Sequence, residues 1–470
     1  MQQEAVILYG PLYSRCLTFT YFKELKKLLT VKDKNSFWMM KSRPGWNGEF
    51  YFFNDTGVFL TGFIYKIISY FKENNIPYKI TGDIPKKIEF KNLQLHGKSE
   101  RNYQNEAVIR ALRYGRGIIK SATGSGKMLM IARLMLEIGE TGLYLTHSKA
   151  LFNDAVDRLA DYLGQEIGVI NAETIDPKKF TVAMIPTLEA RLKNIKVINY
   201  LESVKSVFYD EAQISHNSRW QEVNKKITKA HYRFGFSATP KGTGIVANMK
   251  LEGTTGAILF DLKSKFLIDR GQLAKPEIRV ILFEHKTKIK YDKDIASVAG
   301  ITSNNFKDFE KELIINNSHR NSLILDICEQ DKKGILIFIN RIEHGNLLNM
   351  AIPGSVFIHG GTKNNSEIVK KFDSGEIPIL IVSSIIDEGV DITNVYSLIL
   401  CHSTYSEQKI LQRIGRGLRA KKENNTLKVY DIFDTKIRFL GVHAKRRLAI
   451  YKSEGFDIIY DYKIGGKNDG

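Results

Sequence analysis

Residues 117–131 read GIIKSATGSGKMLMI, and this stretch predicts the fold of the chain around it. Residues 117–120 form a short apolar run that favours a strand, and residues 128–137 favour a helix. Between them, glycines let backbone N–H groups wrap an anion, and the start of the helix adds positive potential. We therefore predict a phosphate-binding loop in which Lys127 reaches the β and γ phosphates of a nucleotide. The predicted nucleotide contacts of the loop are Thr123, Gly124, Ser125, Gly126, Lys127 and Met128.

Two positions of this loop depart from the usual phosphate-loop pattern. Ser121 stands where a leading glycine is common, and Met128 stands where a serine or threonine usually follows the lysine. A thioether is a poor ligand for Mg²⁺, which prefers oxygen. Either a water molecule fills that position or the affinity for the metal is reduced. Taken alone, the loop is also compatible with a chance glycine-rich turn.

Short apolar runs alternate with amphipathic helical patterns on both sides of this loop, from about residue 100 onward. Continuous apolar strands between helices indicate a parallel sheet that is covered on both faces. The apolar runs fall into two groups along the chain. The first group is 117–120, 142–146, 180–185 and 206–209, and the second group is 334–340, 355–359, 377–383, 397–401 and 426–432. The pattern predicts an α/β protein with two parallel-sheet lobes in series.

The chain is predicted to divide into three parts. Residues 1–95 contain aromatic strand-like runs at 5–9, 37–40 and 50–54 around two helix-like segments, 21–29 and 63–74, which is typical of a small α+β domain. The list of predicted domains is 1–95, 96–275 for the first lobe and 276–470 for the second. The polar stretch 82–99 is interpreted as a linker, and 284–317 as a bridge or surface insertion.

An acidic sequence, Asp210-Glu211-Ala212-Gln213, follows the apolar run 206–209 directly. The carboxyl ends of parallel strands are where such sheets bind ligands. Asp210 suits Mg²⁺, directly or through water, and Glu211 suits a general base that polarises the attacking water. A solvated acidic loop is the alternative, but Asp210 follows Lys127 by 83 residues (210 − 127), which favours the catalytic interpretation.

A third sequence, residues 412–419, reads QRIGRGLR and is predicted to open a helix of the second lobe. Arg416 and Arg419 are three residues apart and are expected on one face of that helix. Hydrolysis of a nucleotide needs cationic groups against the charge on the transferring γ-phosphoryl, and these two arginines suit that role. A basic helix bound to nucleic acid is the alternative.

The bulk composition favours a polyanionic partner. The chain has 470 residues and a formal net charge of +19, and cationic side chains that neutralise phosphates release condensed counterions. A generically basic protein is the alternative. Its three cysteines lie far apart without a CxxC pair, which makes a zinc site or disulfide framework unexpected. No signal peptide and no apolar stretch of about 18 residues is found, so we expect a cytoplasmic protein without a membrane partner.

Together these elements resemble superfamily 2 helicases, over about residues 100–450. The resemblance implies two RecA-like lobes, of which the first binds ATP and Mg²⁺. It implies that Gln412, Arg416 and Arg419 of the second lobe act on the γ-phosphate of that ATP. It implies an adenine-reading motif at Arg101, Tyr103 and Gln104, a coupling motif at Ser237, Ala238 and Thr239, and nucleotide contacts at Gly389 and Asp391 within 383–391. It also implies nucleic-acid backbone contacts at Ser148, Lys149, Thr187, His359, Gly360 and Ser383. His147, Asp154 and Ser383 depart from the usual residues of these motifs.

The amino-terminal region is similar to the small first domain of phage UvsW-like helicases, which work on branched DNA. The similarity lies in the sequence RPGWNG at 43–48, the aromatic run 50–53 and the amphipathic segment 62–74. Arg43 is a candidate contact to DNA phosphates, whereas aromatic residues such as Trp46 are more often part of a core. The basic residues of 443–447 are equally compatible with DNA contact and with a solvated helix face.

The resemblance implies an ATP-dependent DNA helicase that remodels forks, D-loops and four-way junctions in replication, recombination and repair. A phage origin would fit, with the host cytoplasm as its location. Backbone contacts carry little sequence information, so low sequence specificity is expected. No obligatory protein partner is evident. Three alternatives remain open: an RNA helicase, the motor subunit of a restriction system, and a non-catalytic, ATP-gated DNA-binding module that Met128 alone would support.

Overall fold

A computed structural model describes most of the chain, and it contains two compact units, Met1–Leu262 and Lys263–Gly470. The described residues are 3–33, 40, 45–214, 217–240, 244–284, 310–383, 392–402, 405–421, 425–434 and 437–461. Three predicted site residues, Arg43, Gly389 and Asp391, lie outside them, as does most of the predicted strand 37–40. The sequence places the division between the lobes at 275/276, whereas the compact units divide between Leu262 and Lys263.

The first part of the chain is a small mixed sheet with two helices. Its strands are β1 (Ala5–Tyr9), β2 (Tyr13–Cys16), β3 (Thr30–Lys32), β4 (Glu49–Tyr51), β5 (Val58–Leu60) and β6 (Tyr78–Gly82), and its helices are α1 (Phe22–Leu28) and α2 (Ile64–Glu73). The main sheet has the order β5-β2-β1-β6, in which only β1 and β6 pair in parallel. The strands β3 and β4 form a separate antiparallel pair. Aromatic and aliphatic side chains between the sheet and the helices, including Phe53, Phe59, Phe63 and Phe71, form one buried cluster.

The first lobe is an eight-stranded sheet in the order β10-β9-β11-β8-β12-β13-β7-β14. Its strands are β7 (Arg116–Ser121), β8 (Gly142–Thr146), β9 (Gly168–Ile170), β10 (Ile175–Asp176), β11 (Phe180–Met184), β12 (Ser206–Asp210), β13 (Tyr232–Ser237) and β14 (Ile258–Leu262). Its helices are α3 (Asn102–Tyr114), α4 (Lys127–Ile138), α5 (Lys149–Leu163), α6 (Ile185–Ala190), α7 (Ile195–Ser203), α8 (Ser218–Lys226) and α9 (Ile245–Thr255). Every pair is parallel except β9 with β10.

The parallel pairing puts the predicted motifs at one edge of this sheet. The carboxyl ends of β7, β8, β11, β12 and β13 lead into the phosphate loop, Ser148, Thr187, Glu211 and Ala238, in that order. The central strands β8 and β13 are buried along their whole length. The apolar sequence of β8 predicts this burial, whereas β13 is buried although it contains Arg233 and Ser237. The carboxyl edge of a parallel sheet is where ligands bind in such folds.

The second lobe is a seven-stranded, wholly parallel sheet in the order β17-β18-β16-β19-β20-β15-β21. Its strands are β15 (Lys275–Phe283), β16 (Ile335–Phe338), β17 (Ser355–Ile358), β18 (Ile379–Val382), β19 (Ser397–Leu400), β20 (Thr426–Asp434) and β21 (Asp457–Asp461). Its helices are α10 (Ser264–Ile268), α11 (Ser318–Asp331), α12 (Ile342–Ala351), α13 (Asn365–Asp373), α14 (Glu407–Gly417) and α15 (Arg438–Glu454), with a π-helical turn at Lys311–Ile315. The predicted fold class, two tandem parallel-sheet lobes after a small α+β domain, is confirmed.

The basic stretch of α15 is divided between the surface and the interior. Arg447 is buried and donates from Nε and Nη2 to both oxygens of Asp431 on β20, at 2.9 and 2.8 Å. Tyr451 donates its hydroxyl to the same carboxylate at 2.7 Å. Lys445 and Arg446 are exposed. Arg447 is therefore a structural residue, and only Lys445 and Arg446 of this stretch are left as exposed candidates for contact with DNA.

Within the described part of the chain, no helix has the length and apolar character needed to cross a bilayer.

The small domain packs against α9 of the first lobe through a close contact at Gly62. A Cβ atom at this position would lie 2.0 Å from the carbonyl oxygen of Glu252 and 2.5 Å from that of Gly253. Since both obstacles are backbone atoms, they cannot move aside as a flexible side chain would.

We predict that Gly62→Ala lowers the free energy of unfolding by about 1–3 kcal/mol, the usual range for overpacking. For a unit of this size, that lowers the midpoint of thermal unfolding by about 2–4 °C per kcal/mol. Gly360→Ala is the matched control, because no atom lies within 4 Å of a Cβ atom there. Equal unfolding midpoints for the two variants would contradict the close packing of Gly62 against the backbone of α9.

Candidate active site

The phosphate loop connects the end of β7 to the start of α4, as the sequence predicts. Lys127 is the first residue of α4, and Gly126 precedes it in the left-handed backbone conformation with φ = 82°. A Cβ atom at Gly126 would lie 2.3 Å from Nε2 of Gln104. The left-handed backbone angle favours glycine at this position, and a Cβ atom would also displace the Gln104 amide.

The start of α3 is bonded to this loop through its side chains. Tyr103 and Gln104 each donate to the carbonyl oxygen of Ser125, at 3.0 Å from the hydroxyl and 2.8 Å from Nε2. The other end of the Gln104 amide, Oε1, accepts a hydrogen bond from the backbone N–H of Arg101 at 2.8 Å. Both residues are buried. The proposed adenine-reading motif thus also fixes the shape of the phosphate loop, while its contact with adenine stays a prediction.

The acidic pair lies at the carboxyl end of β12, next to the lysine of the loop. Nζ of Lys127 lies 4.0 Å from Oε1 of Glu211, and both side chains are mostly buried. One oxygen of Asp210 accepts a hydrogen bond from the hydroxyl of Tyr144 at 2.6 Å, and the other accepts one from the N–H of Glu211 at 3.0 Å. Glu211 itself adopts a left-handed backbone angle, φ = 46°. The structure therefore brings Lys127, Asp210 and Glu211 together as predicted from their spacing.

The surroundings of Asp210 perturb its titration. Burial raises the pKa of its carboxyl above the ordinary value, and the charge of Glu211 adds to this, whereas Lys127 and the Tyr144 hydrogen bond act in the opposite direction. Burial, followed by the charge of Asp210, holds the pKa of Tyr144 well above its usual range. Tyr144 is therefore protonated at neutral pH and acts as the donor in this bond.

Tyr144 is a site residue that the sequence reasoning missed. It is the middle residue of β8, whose sequence GLYLT is buried throughout. A buried tyrosine usually finds a partner for its hydroxyl, so its presence in an otherwise apolar strand was the available signal. The identity of that partner follows only from the pairing of β8 with β12.

A line of hydrogen bonds leads from Glu211 to the residues after β13. Gln213 donates from Nε2 to Oε2 of Glu211 at 2.5 Å, and its own Oε1 accepts from the hydroxyl of Ser237 at 2.5 Å. The Ser237 hydroxyl in turn accepts from the backbone N–H of Thr239 at 2.9 Å. Gln213 and Ser237 are buried. The residues predicted to couple hydrolysis to movement are thus bonded to the candidate general base.

The donor set fits a magnesium ion that is bound largely by water and phosphate. Mg²⁺ in nucleotide sites commonly uses one or two carboxylates together with phosphate oxygens and several waters. Asp210 supplies such a carboxylate, whereas Met128, half-buried beside Lys127, offers no oxygen from its side chain. In the described part of the chain, no cluster of three or more histidine, cysteine, aspartate or glutamate side chains could hold a metal by itself.

The candidate nucleic-acid contacts lie just after strands in both lobes. Ser148 precedes α5, and its hydroxyl accepts from the N–H of Leu151 at 3.4 Å; Thr187 lies in the first turn of α6. The exposed Lys149 pairs loosely with Glu173, at 3.7 Å. In the second lobe, His359 and Gly360 follow β17, and Ser383 follows β18 with its N–H bonded to the carbonyl of Ile358 at 3.3 Å.

The arginine motif is placed differently from its prediction, because residues 412–417 end a helix rather than open one. The helix α14 begins at Glu407 and ends at Gly417, where the N–H of Leu418 donates to the carbonyl of Gly415, three residues back, at 3.4 Å. Two glycines at its end weaken helix continuation. The expectation that Arg416 and Arg419 share a helix face is therefore wrong. Arg416 lies in the last turn of the helix, whereas Arg419 lies beyond it, where its backbone forms an isolated antiparallel β-bridge with Leu273.

The residues of this motif differ in burial, which separates a core residue from residues that a ligand could reach. Arg413 is buried and packs over the ring of Phe338 at 5.0 Å. Gln412, Arg416 and Arg419 are half-buried. Arg413 thus has a structural role, and the other three keep the exposure that a contact with a ligand requires.

Two family comparisons match the two lobes in order. Residues 97–242 match the family described as type III restriction enzyme, res subunit, and residues 319–421 match the helicase conserved C-terminal domain. The chain belongs to superfamily 2 of the helicases. It is accordingly an ATP-dependent helicase or translocase.

Individual relatives support this assignment at low identity. The ATP-dependent DNA helicase uvsW of Enterobacteria phage T4 is 23% identical over 396 residues, which cover 76% of each chain. The protein named "Putative ATP-dependent helicase IRC3" of Saccharomyces cerevisiae is 24% identical over 367 residues, which cover 70% of this chain and 51% of IRC3. The chain thus spans about half the length of that relative. The solved structure of the type ISP restriction-modification enzyme LlaBIII bound to DNA is similar in fold, with a TM-score of 0.59, 14% identity, and coverage of 86% of this chain and 34% of that one.

We predict that Asp210→Asn raises the midpoint of thermal unfolding of the nucleotide-free protein in EDTA. Because folding raises the pKa of Asp210, the ionised carboxylate destabilises the folded state at neutral pH, and asparagine removes that charge. The difference between the variant and the unsubstituted protein should grow as the pH rises from the ordinary pKa of an aspartate to the raised pKa of folded Asp210, stay constant above it, and vanish below the ordinary value. Thermal melts across a pH series measure this.

The control for that series is Asp161→Asn, since Asp161 has an exposed side chain, 54% accessible, that pairs with Lys98. Exposed substitutions of this kind usually change stability by about 0.5 kcal/mol or less. A destabilised Asp210→Asn variant at neutral pH would contradict the assigned environment.

Proposed function

We propose that the chain is an ATP-dependent DNA helicase that remodels branched DNA. The observation that carries this proposal is the bonded series Lys127, Glu211, Gln213 and Ser237 at the carboxyl edge of the first-lobe sheet. It joins a group suited to phosphate, a group suited to activating water and the residues suited to coupling. A site that only bound ATP would not need that connection.

The chemical roles follow from the type and place of each residue. Lys127 neutralises the β and γ phosphates, Asp210 binds Mg²⁺ directly or through water, and Glu211 polarises the attacking water. Gln412, Arg416 and Arg419 of the second lobe stabilise the charge on the γ-phosphoryl as it transfers. When bound, the metal would neutralise phosphate charge and orient the phosphoryl group. Binding and hydrolysis of ATP then bias the molecule between two conformational states.

The grip on nucleic acid is proposed to use the sugar-phosphate backbone. Ser148, Thr187 and Ser383 offer hydroxyl groups, and the exposed Gly360 offers its N–H beside His359. The exposed Lys149 adds a charge, and the formal net charge of +19 favours a polyanion. Such contacts read little sequence, so the substrate would be selected by its shape.

DNA, and branched DNA in particular, is proposed from the relatives and the small first domain. The phage T4 relative is a DNA helicase whose match covers 76% of this chain. A small sheet domain precedes the first lobe, as the resemblance to UvsW-like helicases implies, and it packs on that lobe at Gly62. Replication, recombination and repair of DNA are the processes in which forks and four-way junctions arise.

We predict that Lys127→Ala lowers ATP turnover by about 100-fold or more, because a donor to the transition-state charge is lost. Hydrolysis is measured with Mg²⁺ and saturating single-stranded DNA, and DNA affinity is measured in parallel and should largely survive. Lys225→Ala, which removes an exposed lysine paired with Glu222 at 2.7 Å, is the control for general effects of charge removal. Normal turnover by Lys127→Ala would refute the assigned ATP site.

We predict that forked and four-way DNA are unwound faster than linear duplex DNA, and only when ATP and Mg²⁺ are present. The panel should include a matched RNA duplex, since an RNA helicase is the main alternative. Strand separation is followed by fluorescence of a labelled strand, and ATP turnover is compared across the same substrates. Faster unwinding of the RNA duplex would contradict the claim that DNA is the substrate and would favour an RNA helicase. Equal unwinding rates on branched and linear DNA would contradict the claim that branched DNA is the preferred substrate.

A further inference from the structure

The phosphate loop lacks a hydroxyl group at the position where the metal normally finds one. Phosphate loops hold Mg²⁺ through a serine or threonine after the lysine, together with an acidic residue from a neighbouring strand. Here Met128 occupies that position as the second residue of α4. Its thioether is not a ligand for a hard cation. The correct orientation of Asp210 is therefore more critical than in a loop with both ligands.

Tyr144 supplies a hydroxyl group at Asp210 from the neighbouring strand. Its oxygen lies 2.6 Å from Oδ2 of Asp210, while the N–H of Glu211 lies 3.0 Å from Oδ1. Each carboxylate oxygen thus accepts one hydrogen bond and keeps lone-pair capacity for a metal or a metal-bound water. Two donors on the two oxygens fix the rotation of the carboxylate.

The register of the sheet explains why a tyrosine can reach this carboxylate. Tyr144 of β8 pairs with Phe208 of β12, and Asp210 lies two residues further along β12 on the same face. At about 3.3 Å per residue, that offset is about 7 Å along the strand, which the long side chain of tyrosine can span. Tyr144 has no exposed surface, so water does not compete for its bond.

Other hydroxyl groups near the loop do not take this place. The hydroxyl of Ser125 is buried without a partner among the described residues, and its carbonyl is turned toward Tyr103 and Gln104. The hydroxyl of Ser121 is likewise buried and without a described partner. Within the described residues, the side-chain hydroxyl that donates to Asp210 is that of Tyr144.

We propose that Tyr144 is a positioning residue for magnesium binding, which orients Asp210 and compensates for Met128 in the phosphate loop. The inference rests on the proposed function, because it takes Asp210 as the metal-binding carboxylate. Groups that orient a metal ligand typically contribute about 10–100-fold to metal affinity. Tyr144 itself does not touch the metal or the nucleotide in this account.

The test is a cycle of four proteins: the unsubstituted chain, Tyr144→Phe, Met128→Thr and the double variant. The readout is binding of a fluorescent, non-hydrolysable ATP analogue as Mg²⁺ is titrated, with a parallel titration of the analogue in EDTA. Tyr144→Phe should raise the half-saturating Mg²⁺ concentration by about 10-fold or more. Binding in EDTA should be unchanged, because the phosphate loop is untouched. Adding Met128→Thr to Tyr144→Phe should restore most of the lost Mg²⁺ affinity.

Tyr200→Phe is the matched control. Tyr200 is a buried tyrosine whose hydroxyl donates to the carbonyl of Gly142 at 3.1 Å, at the far end of the same strand β8. Its removal should leave the Mg²⁺ dependence unchanged, which separates a role at Asp210 from the general loss of a buried hydroxyl.

Three results would overturn the inference: an unchanged Mg²⁺ midpoint in Tyr144→Phe, an equal loss of binding in EDTA, or no restoration by Met128→Thr. The Lys127→Ala variant distinguishes this failure from failure of the proposed function. If Lys127→Ala binds and hydrolyses ATP normally, the ATP site itself is wrongly assigned. If Lys127→Ala is inactive while Tyr144→Phe keeps its Mg²⁺ dependence, only the role of Tyr144 is refuted.

Discussion

The hydrogen bonds that hold Asp210 at the end of β12 are the constraint on which the rest of the site depends. A carboxylate that is partly removed from water is costly unless donors or cations compensate it. Tyr144 and the N–H of Glu211 supply donors, and Lys127 supplies a cation nearby. A bound metal and a nucleotide would complete this compensation, so the protein without ligand holds a site whose charge is only partly balanced.

Hydrogen bonds along the same edge of the sheet connect the candidate active site to other residues of the first lobe. Glu211, Gln213 and Ser237 form direct side-chain bonds between the residues that follow β12 and those that end β13. Hydrogen-bond networks that have two discrete arrangements are one way in which energetic coupling between sites is carried. A change in the charge at the γ-phosphate position would therefore be felt first by Glu211 and then, through Gln213, by the Ser-Ala-Thr segment.

Much of this architecture was predictable, and the errors have physical reasons. The strand β8 matches its predicted run residue for residue, since a buried parallel strand has a continuous apolar sequence. The strand β1 also matches its predicted run, although it lies in a mixed sheet and only alternate residues are buried. The position of Arg419 was wrong because the end of α14 depends on packing of glycines at its last turn. Arg447 was grouped with surface charges because sequence alone does not show that Asp431 meets it in the core. Tyr144 was missed because the register between strands is a property of the tertiary fold.

The account can be tested most directly by a crystal structure with Mg²⁺ and a non-hydrolysable ATP analogue. It predicts Lys127 against the β and γ phosphates and a metal at about 2.0–2.1 Å from a carboxylate oxygen of Asp210, or joined to it by one water. The Tyr144 hydroxyl should still donate to the same carboxylate. A metal and nucleotide bound with Asp210 turned away, or with the Tyr144 bond broken, would contradict the central claim.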